Sequence, residues 1–572
     1  MAEKRKIKKQ DLIQLSLMIV IIALANVISS FVFTRFDLTS EKRFTLSPTT
    51  KNLVKNLDDI IYVKVYLEGD FPAGFKRLRN STKETLDEFR TYSNGNIEYE
   101  FINPSASADV KERNKIYHQL ADKGLQPTNL EVKEGDASSQ KIIFPGALLT
   151  YRSKEYPLQL LKSSIGASSE EMLNNSIQGL EYEITNTIRQ LTINLKTKIA
   201  FIEGHGELDT MEVADITQTL SEYYEVDRTK IIGAIDSAQG GKLINNLLDY
   251  KAIIIAKPDN AFAENEKFLL DQFIMKGGKV LWLIDAMNAS MDSLAKVSSS
   301  LATDVSLNLE DQLFKYGARV NPNLILDLES APIPIVTGIV GNQPKTELTP
   351  WYFFPLIFPG NNHPIINNLN AIKCEFVSSI DTVGAKGIKK TVLLASSKYS
   401  KVMFTPVRIS LGMAKQKPVM EQYNKRDQVV AVLLEGEFQS DFKNRVPIAL
   451  AHFNIDFKES SKQNKMIVIS DGDMIKNQYK RASGKFFPLG YDHYTGQFYG
   501  NKNFILNCID YLLDDSGLIS VRSKELKLRI LDKTKLTDEK FQWQLVNTVV
   551  PIVLLIIFGI VQDYWRRKRF AK

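Results

Sequence analysis

Cysteine is scarce in this sequence of 572 residues, which contains two cysteines, Cys374 and Cys508. Two thiols form at most one disulfide, so the sequence excludes a small secreted scaffold that several disulfides hold together. Both cysteines lie in segments whose patterns predict helices or strands. In such segments, buried free thiols explain the cysteines as well as a disulfide does. The sequence therefore leaves their pairing and the redox compartment open.

The signature motifs of several enzyme classes are also missing. The sequence contains no GxxxxGKS or GxxxxGKT loop, no HExxH or CxxC pair and no GxSxG elbow. Residues at these spacings bind nucleotide phosphates or zinc, or position an activated serine. We therefore expect that the chain is not an enzyme, that it has no cofactor or metal site, and that any ATPase activity lies in a separate subunit.

The charge of the chain is positive but unevenly distributed. The formal net charge is +7, and much of it lies in basic clusters at the two termini, beside apolar segments. Membrane orientation explains basic residues there, and no nucleic-acid recognition motif accompanies the charge. We therefore expect a lipid bilayer as a partner and no nucleic acid. At this length we expect two or three domains rather than one.

Two uncharged apolar segments lie near the ends of the chain. Residues 12–33 follow a run of lysine and arginine and are long enough, at about 1.5 Å per residue, to cross the hydrocarbon core. The alternative is a cleaved signal peptide, but its apolar region would be shorter and would end at small residues, whereas this segment ends in Phe33. Residues 543–562 form a second predicted span, which Trp543 and Trp565 flank as interfacial anchors.

Basic residues outside both spans predict the orientation of the chain. By the positive-inside rule, the N-terminal cluster and the run from Arg566 to Arg569 place both termini in the cytoplasm and the body between them in the periplasm. Lysine and arginine on the inner flanks weaken this prediction, although acidic residues accompany them. Asn26 and Asn547 lie within the spans, where an amide either bonds to a partner helix or is simply tolerated.

Between the spans, strand patterns alternate with helical patterns, which is typical of an α/β protein with mostly parallel sheets. In the first part, strands are predicted at 60–67 and 97–102, and helices at 76–93, 111–123 and 176–191. In the second part the strands are continuous apolar runs, which are buried on both faces of a doubly wound sheet. The second part has predicted strands that begin at Lys198 and that cover 253–256, 279–285, 391–396, 429–436 and 466–470, and predicted helices at 211–223, 264–275 and 504–513.

These patterns divide the chain into successive parts. We expect a cytoplasmic N-terminus (1–11), a transmembrane helix (12–33), a linker (34–46), a first periplasmic α/β domain (47–195), a second periplasmic α/β domain (196–530) with an insertion at about 300–460, a second linker (531–542), a second transmembrane helix (543–562) and a cytoplasmic tail (563–572).

Polar residues at the carboxyl ends of predicted strands are the candidate ligand-binding residues, because doubly wound sheets bind ligands there. The turn with Glu203, His205 and Glu207 places an imidazole between two carboxylates, which are metal ligands and general bases. The alternative is a tight glycine turn in which His205 makes a structural hydrogen bond. Asp285 and Asp471 also follow predicted strands, and capping or turn formation is their alternative. No residue is assigned a catalytic role.

Several long segments occur in a distinctive order. They are RFDLTSEKRFTLSP at 35–48, IAFIEGHGE at 199–207, FLLDQFIMKGGKVLWLID at 268–285 and GNKNFILNCIDYLLDDSGLISVRSKELKLRILDK at 500–533. Together they resemble the gliding-motility-associated ABC transporter auxiliary proteins of Bacteroidetes, which are often labelled substrate-binding proteins. The resemblance runs from the first predicted span to the last.

The resemblance implies an inner-membrane subunit of an ABC transporter complex linked to gliding motility. Such a subunit forms a hetero-oligomer with a multi-span permease and a cytoplasmic ATPase, and its periplasmic body couples the permease to cargo or envelope partners. The second domain also resembles the flavodoxin-like, amidotransferase-like fold family, and we expect two such parallel-sheet domains. Enzymes of that fold carry a nucleophilic cysteine after a central strand, whereas here Asp285 follows that strand.

Two other functions fit parts of the sequence. A membrane-anchored periplasmic enzyme would use Glu203, His205 and Glu207, and a ligand sensor would bind a small molecule near Asp285 without turnover. The auxiliary-subunit interpretation accounts for both spans, the missing ATPase motif and the mixed α/β body.

Overall fold

The structure is a computed structural model in which the chain divides into two compact units, Met1–Lys524 and Glu525–Lys572. The residues that it describes are 13–24, 45–134, 137–162, 168–192, 196–231, 246–297, 299–340, 343–360, 363–445, 456–480, 484–514, 517, 521 and 540–570.

The first part of the larger unit contains a four-stranded sheet that helices cover. In chain order its elements are α1 (Ile13–Leu24), α2 (Pro48–Lys55), β1 (Ile61–Val65), α3 (Ala73–Tyr92), β2 (Ile97–Phe101), α4 (Val110–Asp122), β3 (Thr128–Glu134), β4 (Ala137–Ile143), β5 (Gly146–Tyr151), β6 (Lys154–Gln159) and α5 (Ser169–Thr192). Alternate residues of β1 are buried because successive strand side chains point to opposite faces. Helix α5 buries apolar residues three and four apart, from Leu173 to Leu191, so one of its faces packs into the same core.

The prediction of a parallel sheet in this first part is wrong. The strand order is β2-β1-β5-β6, and only β1 and β2 run parallel, whereas β1 with β5 and β5 with β6 are antiparallel. The reason lies in the residues after α4, which form hairpins rather than a further strand-helix unit. The two-residue connection from β5 to β6 has Arg152 in the left-handed region, at a φ of 53°, which suits a tight hairpin turn.

The second part of the larger unit is built on a seven-stranded sheet in the order β18-β21-β22-β10-β9-β7-β8. In chain order the elements are β7 (Lys198–Glu203), α6 (Ala214–Tyr223), β8 (Glu225–Lys230), β9 (Ala252–Ala256), α7 (Glu264–Met275), β10 (Lys279–Leu283), α8 (Met291–Lys296), β11 (Ser299–Ala302), α9 (Glu310–Tyr316), β12 (Ala318–Val320), β13 (Asn323–Asp327), β14 (Ser330–Val340), β15 (Gln343–Ile357), β16 (Ile372–Lys373), β17 (Ile380–Thr382), β18 (Ile388–Ala395), β19 (Ser400–Phe404), β20 (Val407–Ser410), β21 (Val429–Gln439), β22 (Ser460–Ile469), β23 (Tyr479–Lys480), β24 (Lys485–Phe486), β25 (Tyr491–Asp492), β26 (Gln497–Phe498) and α10 (Asn501–Leu513), with short 3-10 helices at Leu411–Lys415, Met420–Gln422 and Gly472–Ile475.

Five neighbouring strands of this sheet are parallel, in the order β22-β10-β9-β7-β8. Since β8 and β9 lie on opposite sides of β7, the chain reverses its direction across the sheet after β8. This is one of the two common doubly wound orders, and its crevice for ligands opens at the carboxyl ends of β7 and β9. Strands β21 and β18 extend the sheet in antiparallel fashion, which confirms the strands predicted at 429–436 and 391–396.

Both faces of the parallel strands are covered, as their apolar sequences predict. Residues such as Ile254 and Leu281 pack with helices α6 and α10, whereas their neighbours Ile255 and Trp282 pack with helices α7 and α9 on the other face. Every residue of β9 is buried. The mixed α/β class is therefore confirmed. The chain segment that connects β10 to β22 forms much of the predicted insertion. It contains four small sheets, β11-β20, β12-β17, β13-β19 and β14-β15-β16.

The smaller unit contains helix α11 (Lys540–Phe570), which is long and apolar enough to cross a membrane. This supports the predicted C-terminal span. Helix α1 is apolar but shorter, and the rest of the predicted first span lies outside the described residues, so that span stays a prediction. The predicted N-terminus (1–11), most of both linkers, Asn26 and the last two residues of the tail also lie outside the described residues.

Candidate functional site

The candidate site lies where the parallel strands β7, β9, β10 and β22 end. Because these strands run in one direction, the segments after them meet at the same edge of the sheet. The segment after β9 connects two groups of polar side chains at this edge. Its Asp259 and Asn260 backbone N–H groups donate to the carbonyl of His205, at 2.8 and 3.0 Å, and its Lys257 reaches the residues after β10 and β22.

The turn around His205 fits closely against this segment. Gly206 has a φ of 75°, and a Cβ atom built on it would lie 1.6 Å from Oδ1 of Asp259. The backbone conformation therefore favours glycine at this position, and a larger residue would have to displace the side chain of Asp259. The sequence predicted the tight turn, and the structure explains it by the approach of the segment that follows β9.

The His205 imidazole is buried between two carboxylates and stacks on an aromatic ring. Nδ1 lies 3.3 Å from Oε1 of Glu207, and Nε2 lies 3.0 Å from Oε2 of Glu266. The ring is 3.7 Å from the ring of Phe262, with 13° between the planes. Burial lowers the pKa of His205, but its hydrogen bonds to Glu207 and Glu266 and their negative charges outweigh burial, so its pKa is raised. With an acceptor on each side, the doubly protonated ring satisfies both contacts.

Glu203 faces away from this imidazole and pairs with Arg228 on the neighbouring strand β8. The same guanidinium donates to the carbonyl of Leu208 at 2.8 Å. The structure therefore brings Glu207 and His205 together but commits Glu203 to a strand-to-strand ion pair. The three residues do not form the triad that a general-base mechanism or a metal site would need.

Asp285 belongs to a buried group of charges with Lys257 and Asp473. The Lys257 ammonium lies 3.1 Å from Oδ2 of Asp285 and also pairs with Asp473. The backbone N–H of Gly472 donates to Oδ1 of Asp285 at 2.5 Å. Burial lowers the pKa of Lys257, but the two carboxylates outweigh burial and raise it, so the ammonium is charged. This places one cation between two acidic side chains at the ends of three parallel strands.

Asp471 is a turn residue in the structure. Its Oδ1 accepts from the backbone N–H of Asp473 at 2.9 Å and its Oδ2 accepts from that of Glu375 at 2.8 Å. It thereby caps the 3-10 helix that starts at Gly472. Burial, together with the negative charges of Asp285 and Asp473, raises the pKa of Asp471 well above its usual range. Both of its oxygens hold the local backbone, as the alternative interpretation of the sequence expected.

Several residues that lie at this edge of the sheet were not predicted from the sequence. Lys257 follows the predicted strand 253–256 directly, so the same strand-end rule that selected Asp285 would have found it. Lys476 pairs with Glu212 at 3.0 Å, and no local pattern indicated that pair. Glu266 was also missed, because it lies in the first turn of α7, where an acidic residue ordinarily caps the helix.

A cavity of about 270 Å³ lies beside Asp285. Its inner wall is apolar and buried, and its rim carries the exposed side chains of Asp304, Glu310 and Arg319. Within the described part of the chain, none of these three side chains has an ion-pair partner. The residues that line the cavity are Ile284, Asp285, Ala286, Asp304, Val305, Ser306, Leu307, Leu309, Glu310, Leu313, Arg319, Val320 and Pro322.

The described residues offer little support for a metal site or for a nucleophilic cysteine. Among the described residues, no three His, Cys, Asp or Glu side chains are grouped to hold a metal ion. Cys374 and Cys508 are free and buried, and burial raises the pKa of both thiols well above its usual range. A thiol in this state is a poor nucleophile, because the thiolate is the reactive form.

Comparisons with known proteins identify two regions of the chain. The model of a family described as an ABC-type uncharacterized transport system matches residues 196–508, and a domain of unknown function matches residues 40–150. An uncharacterized protein of Borreliella burgdorferi (strain B31) is 22% identical over 577 aligned positions, covering 98% of this chain and 99% of that protein. A solved structure of the mmIFT52 N-terminal domain aligns at 14% identity and a TM-score of 0.30, over 55% of this chain and 97% of that domain.

The His205 contacts predict a pH dependence of stability. The folded-state pKa is raised above the ordinary value of about 6.5, so the imidazolium stabilises the fold fully below that pH, and this contribution is lost as the pH rises through the raised pKa. We expect His205→Gln to lower the Tm of the detergent-solubilised chain most at about pH 5.5 and least at about pH 9. His118→Gln, at an exposed position, is the control. A wild-type advantage that grows with pH would contradict this assignment.

The buried charge group predicts coupling between Lys257 and Asp285. Lys257→Met leaves the buried Asp285 carboxylate without its cation and leaves Asp473 with Lys476 at 3.9 Å, and we expect a loss of about 3–5 kcal/mol in the free energy of unfolding. Asp285→Asn should relieve part of that loss, so the double variant should be more stable than the sum of the single variants predicts, by about 0.5–3 kcal/mol. Denaturant unfolding measures all three variants. Lys389→Met, which removes the exposed ammonium that lies 3.9 Å from Glu435, should cost at most about 1 kcal/mol. Strict additivity at Lys257 and Asp285 would refute the coupling.

Proposed function

Because the chain belongs to the auxiliary family of ABC-type uncharacterized transport systems, we propose that it is a non-ATPase subunit of an ABC transporter complex. The observation that carries this proposal is the family match over 196–508, which spans the seven-stranded sheet and both helical layers. In this proposal the body couples a transport subunit to cargo or to envelope partners, as a substrate-binding-like auxiliary protein.

The proposed partners are a multi-span permease and a cytoplasmic ATPase. The sequence lacks the phosphate-binding loop of such ATPases, and among the described residues one helix is long enough to span a bilayer. Neither one span nor the two spans that the sequence predicts would enclose a path for a solute, so in this proposal other chains supply nucleotide hydrolysis and translocation. We therefore propose a hetero-oligomer.

The proposed location is the inner membrane, with the body in the periplasm and both termini in the cytoplasm. Helix α11 ends in Arg566, Arg567, Lys568 and Arg569, and a basic run at the end of a span favours the cytoplasmic side. The narrower role in gliding motility is supported by the four segments that resemble the gliding-associated members of this group.

We propose that the chain itself is not an enzyme. Glu203 pairs with Arg228, His205 lies between Glu207 and Glu266, and both oxygens of Asp471 hold backbone N–H groups. These contacts occupy the groups that a hydrolase would need free. The membrane-anchored enzyme is for this reason the less supported alternative.

Affinity purification from native membranes in mild detergent tests the main proposal. A tag on the full-length chain should recover a multi-span permease and a P-loop ATPase in a stable proportion, and mass spectrometry identifies both. A single-span membrane protein of similar abundance, with the same tag, controls for incidental capture. If the intact chain reproducibly purifies without either partner, the transporter-subunit proposal is wrong.

The cavity beside Asp285 favours a second candidate function, which is ligand sensing without turnover. Its apolar wall and its rim of two carboxylates and one guanidinium suit a small amphipathic molecule with a carboxylate for Arg319 and an amine for Asp304 or Glu310. We expect an amino-acid-like or peptide ligand to raise the Tm of the solubilised chain. Arg319→Ala should abolish that rise, whereas Arg408→Ala, at an exposed position elsewhere, should preserve it. The absence of a Tm response to envelope peptides and sugars would count against this function.

A further inference from the structure

The apolar stretch of helix α11 carries polar and helix-perturbing residues on one side. From Phe541 to Gln562 the helix has no charged residue. At about 100° per residue, Asn547, Thr548, Pro551, Gly559 and Gln562 all lie within about 60° of the direction of Gln544, and the apolar residues Leu555 and Phe558 lie on the same side. The opposite side consists of aliphatic residues. Gln542 lies off this face, next to the charged end of the helix. We call the side that contains Gln544, Asn547, Thr548, Pro551, Gly559 and Gln562 the polar face.

The polar face contains hydrogen-bonding groups that the helix itself does not satisfy. Thr548 donates back to the carbonyl of Gln544 at 2.8 Å. Within the described residues, however, the side-chain amides of Gln544, Asn547 and Gln562 have no hydrogen-bond partner. The amide of Asn547 would meet only hydrocarbon if this face were turned toward lipid, which is unfavourable, whereas Gln544 and Gln562 lie near the two ends of the span.

Pro551 adds a backbone acceptor to the same face. Proline has no N–H, so the carbonyl of Asn547 lacks the donor four residues further on that a regular helix would supply. Pro551 also lies at the middle of the uncharged stretch, and Asn547 is about 6 Å along the axis from it, at 1.5 Å per residue. The amide and the carbonyl of Asn547 therefore lie deep in the proposed bilayer core, where water does not satisfy them.

We propose that the polar face is the docking surface for a transmembrane helix of the multi-span transporter subunit, which donates hydrogen bonds to Asn547. This inference rests on the proposed function. A helix of a multi-span protein fits this surface because Gly559 allows close approach of backbones and because buried helices of such bundles carry Ser, Thr, Asn or Gln side chains toward their neighbours. The aliphatic side of α11 then faces lipid.

Site-specific photo-crosslinking in native membranes tests the proposal. A photoreactive residue replaces Thr548 or Leu555 on the polar face, and Val549 or Val553 at matched depths on the aliphatic side, in the full-length chain. We expect the first two positions to crosslink to the multi-span subunit and the last two to crosslink to lipid. Crosslinks from the polar face to a second copy of this chain, or equal yields from both sides, would overturn the proposal.

Substitutions provide a second readout that does not depend on crosslinking. Asn547→Leu should weaken retention of the multi-span subunit by about 3- to 20-fold, the range expected for one hydrogen bond between membrane helices. Asn547→Gln should restore most of the retention, and Val546→Leu should leave it unchanged. If the permease co-purifies equally with wild type and Asn547→Leu, the docking face is wrong while the transporter-subunit proposal stands. If the permease is absent with wild type, the proposed function fails and this inference fails with it.

Discussion

The burial of strands β9 and β10 and of the last four residues of β22 on both faces is the constraint on which the rest of the body depends. A fully buried Val, Leu or Ile contributes about 1.5–3 kcal/mol relative to an exposed one, so a sheet that is apolar on both sides requires a helical layer on each. Helices α6 and α10 cover one face, and α7 and α9 cover the other. The parts of these strands that lie between the two helical layers have apolar side chains. The polar groups of the candidate site therefore lie beyond the carboxyl ends of the strands.

Confinement of polar groups to one edge makes that edge resemble a ligand site even where no ligand is needed. A buried donor or acceptor without a partner costs about 1–3 kcal/mol, so side chains that gather there must satisfy one another. The His205 ring between Glu207 and Glu266 and the Lys257 ammonium between Asp285 and Asp473 are solutions of this kind. A histidine or aspartate at a strand end can therefore serve either to bind a ligand or to satisfy a buried neighbour, and its contacts distinguish these two roles. Here the contacts favour structure at His205, Glu203 and Asp471.

The sequence predicted those parts of the fold that depend on local periodicity. The apolar runs at 253–256, 279–285 and 466–470 coincide with β9, β10 and the last part of β22, because a strand buried on two faces leaves a continuous pattern. The sequence did not predict the antiparallel pairing of β5 and β6, because strand direction depends on a short hairpin that periodicity does not reveal. At the candidate site, the turn at His205 was visible in its glycines. Its partner Glu266 was not, because 61 positions separate the two residues and only the tertiary fold brings them together.

The body and helix α11 differ in how their polar groups find hydrogen-bond partners. At the edge of the sheet, His205, Lys257, Asp285 and Asp471 find partners within the chain. Within the apolar helix, Asn547 presents an amide and a backbone carbonyl on one side, and neither has a partner in the described residues. A membrane removes the water that would otherwise satisfy them. The described body also contains buried polar atoms without a partner, such as Nε1 of Trp282 and Nε1 of Trp351, but Asn547 has two such groups in the segment that is proposed to cross the membrane. For that reason the physical case for a partner is stronger at the membrane helix than at the strand ends that first suggest a binding site.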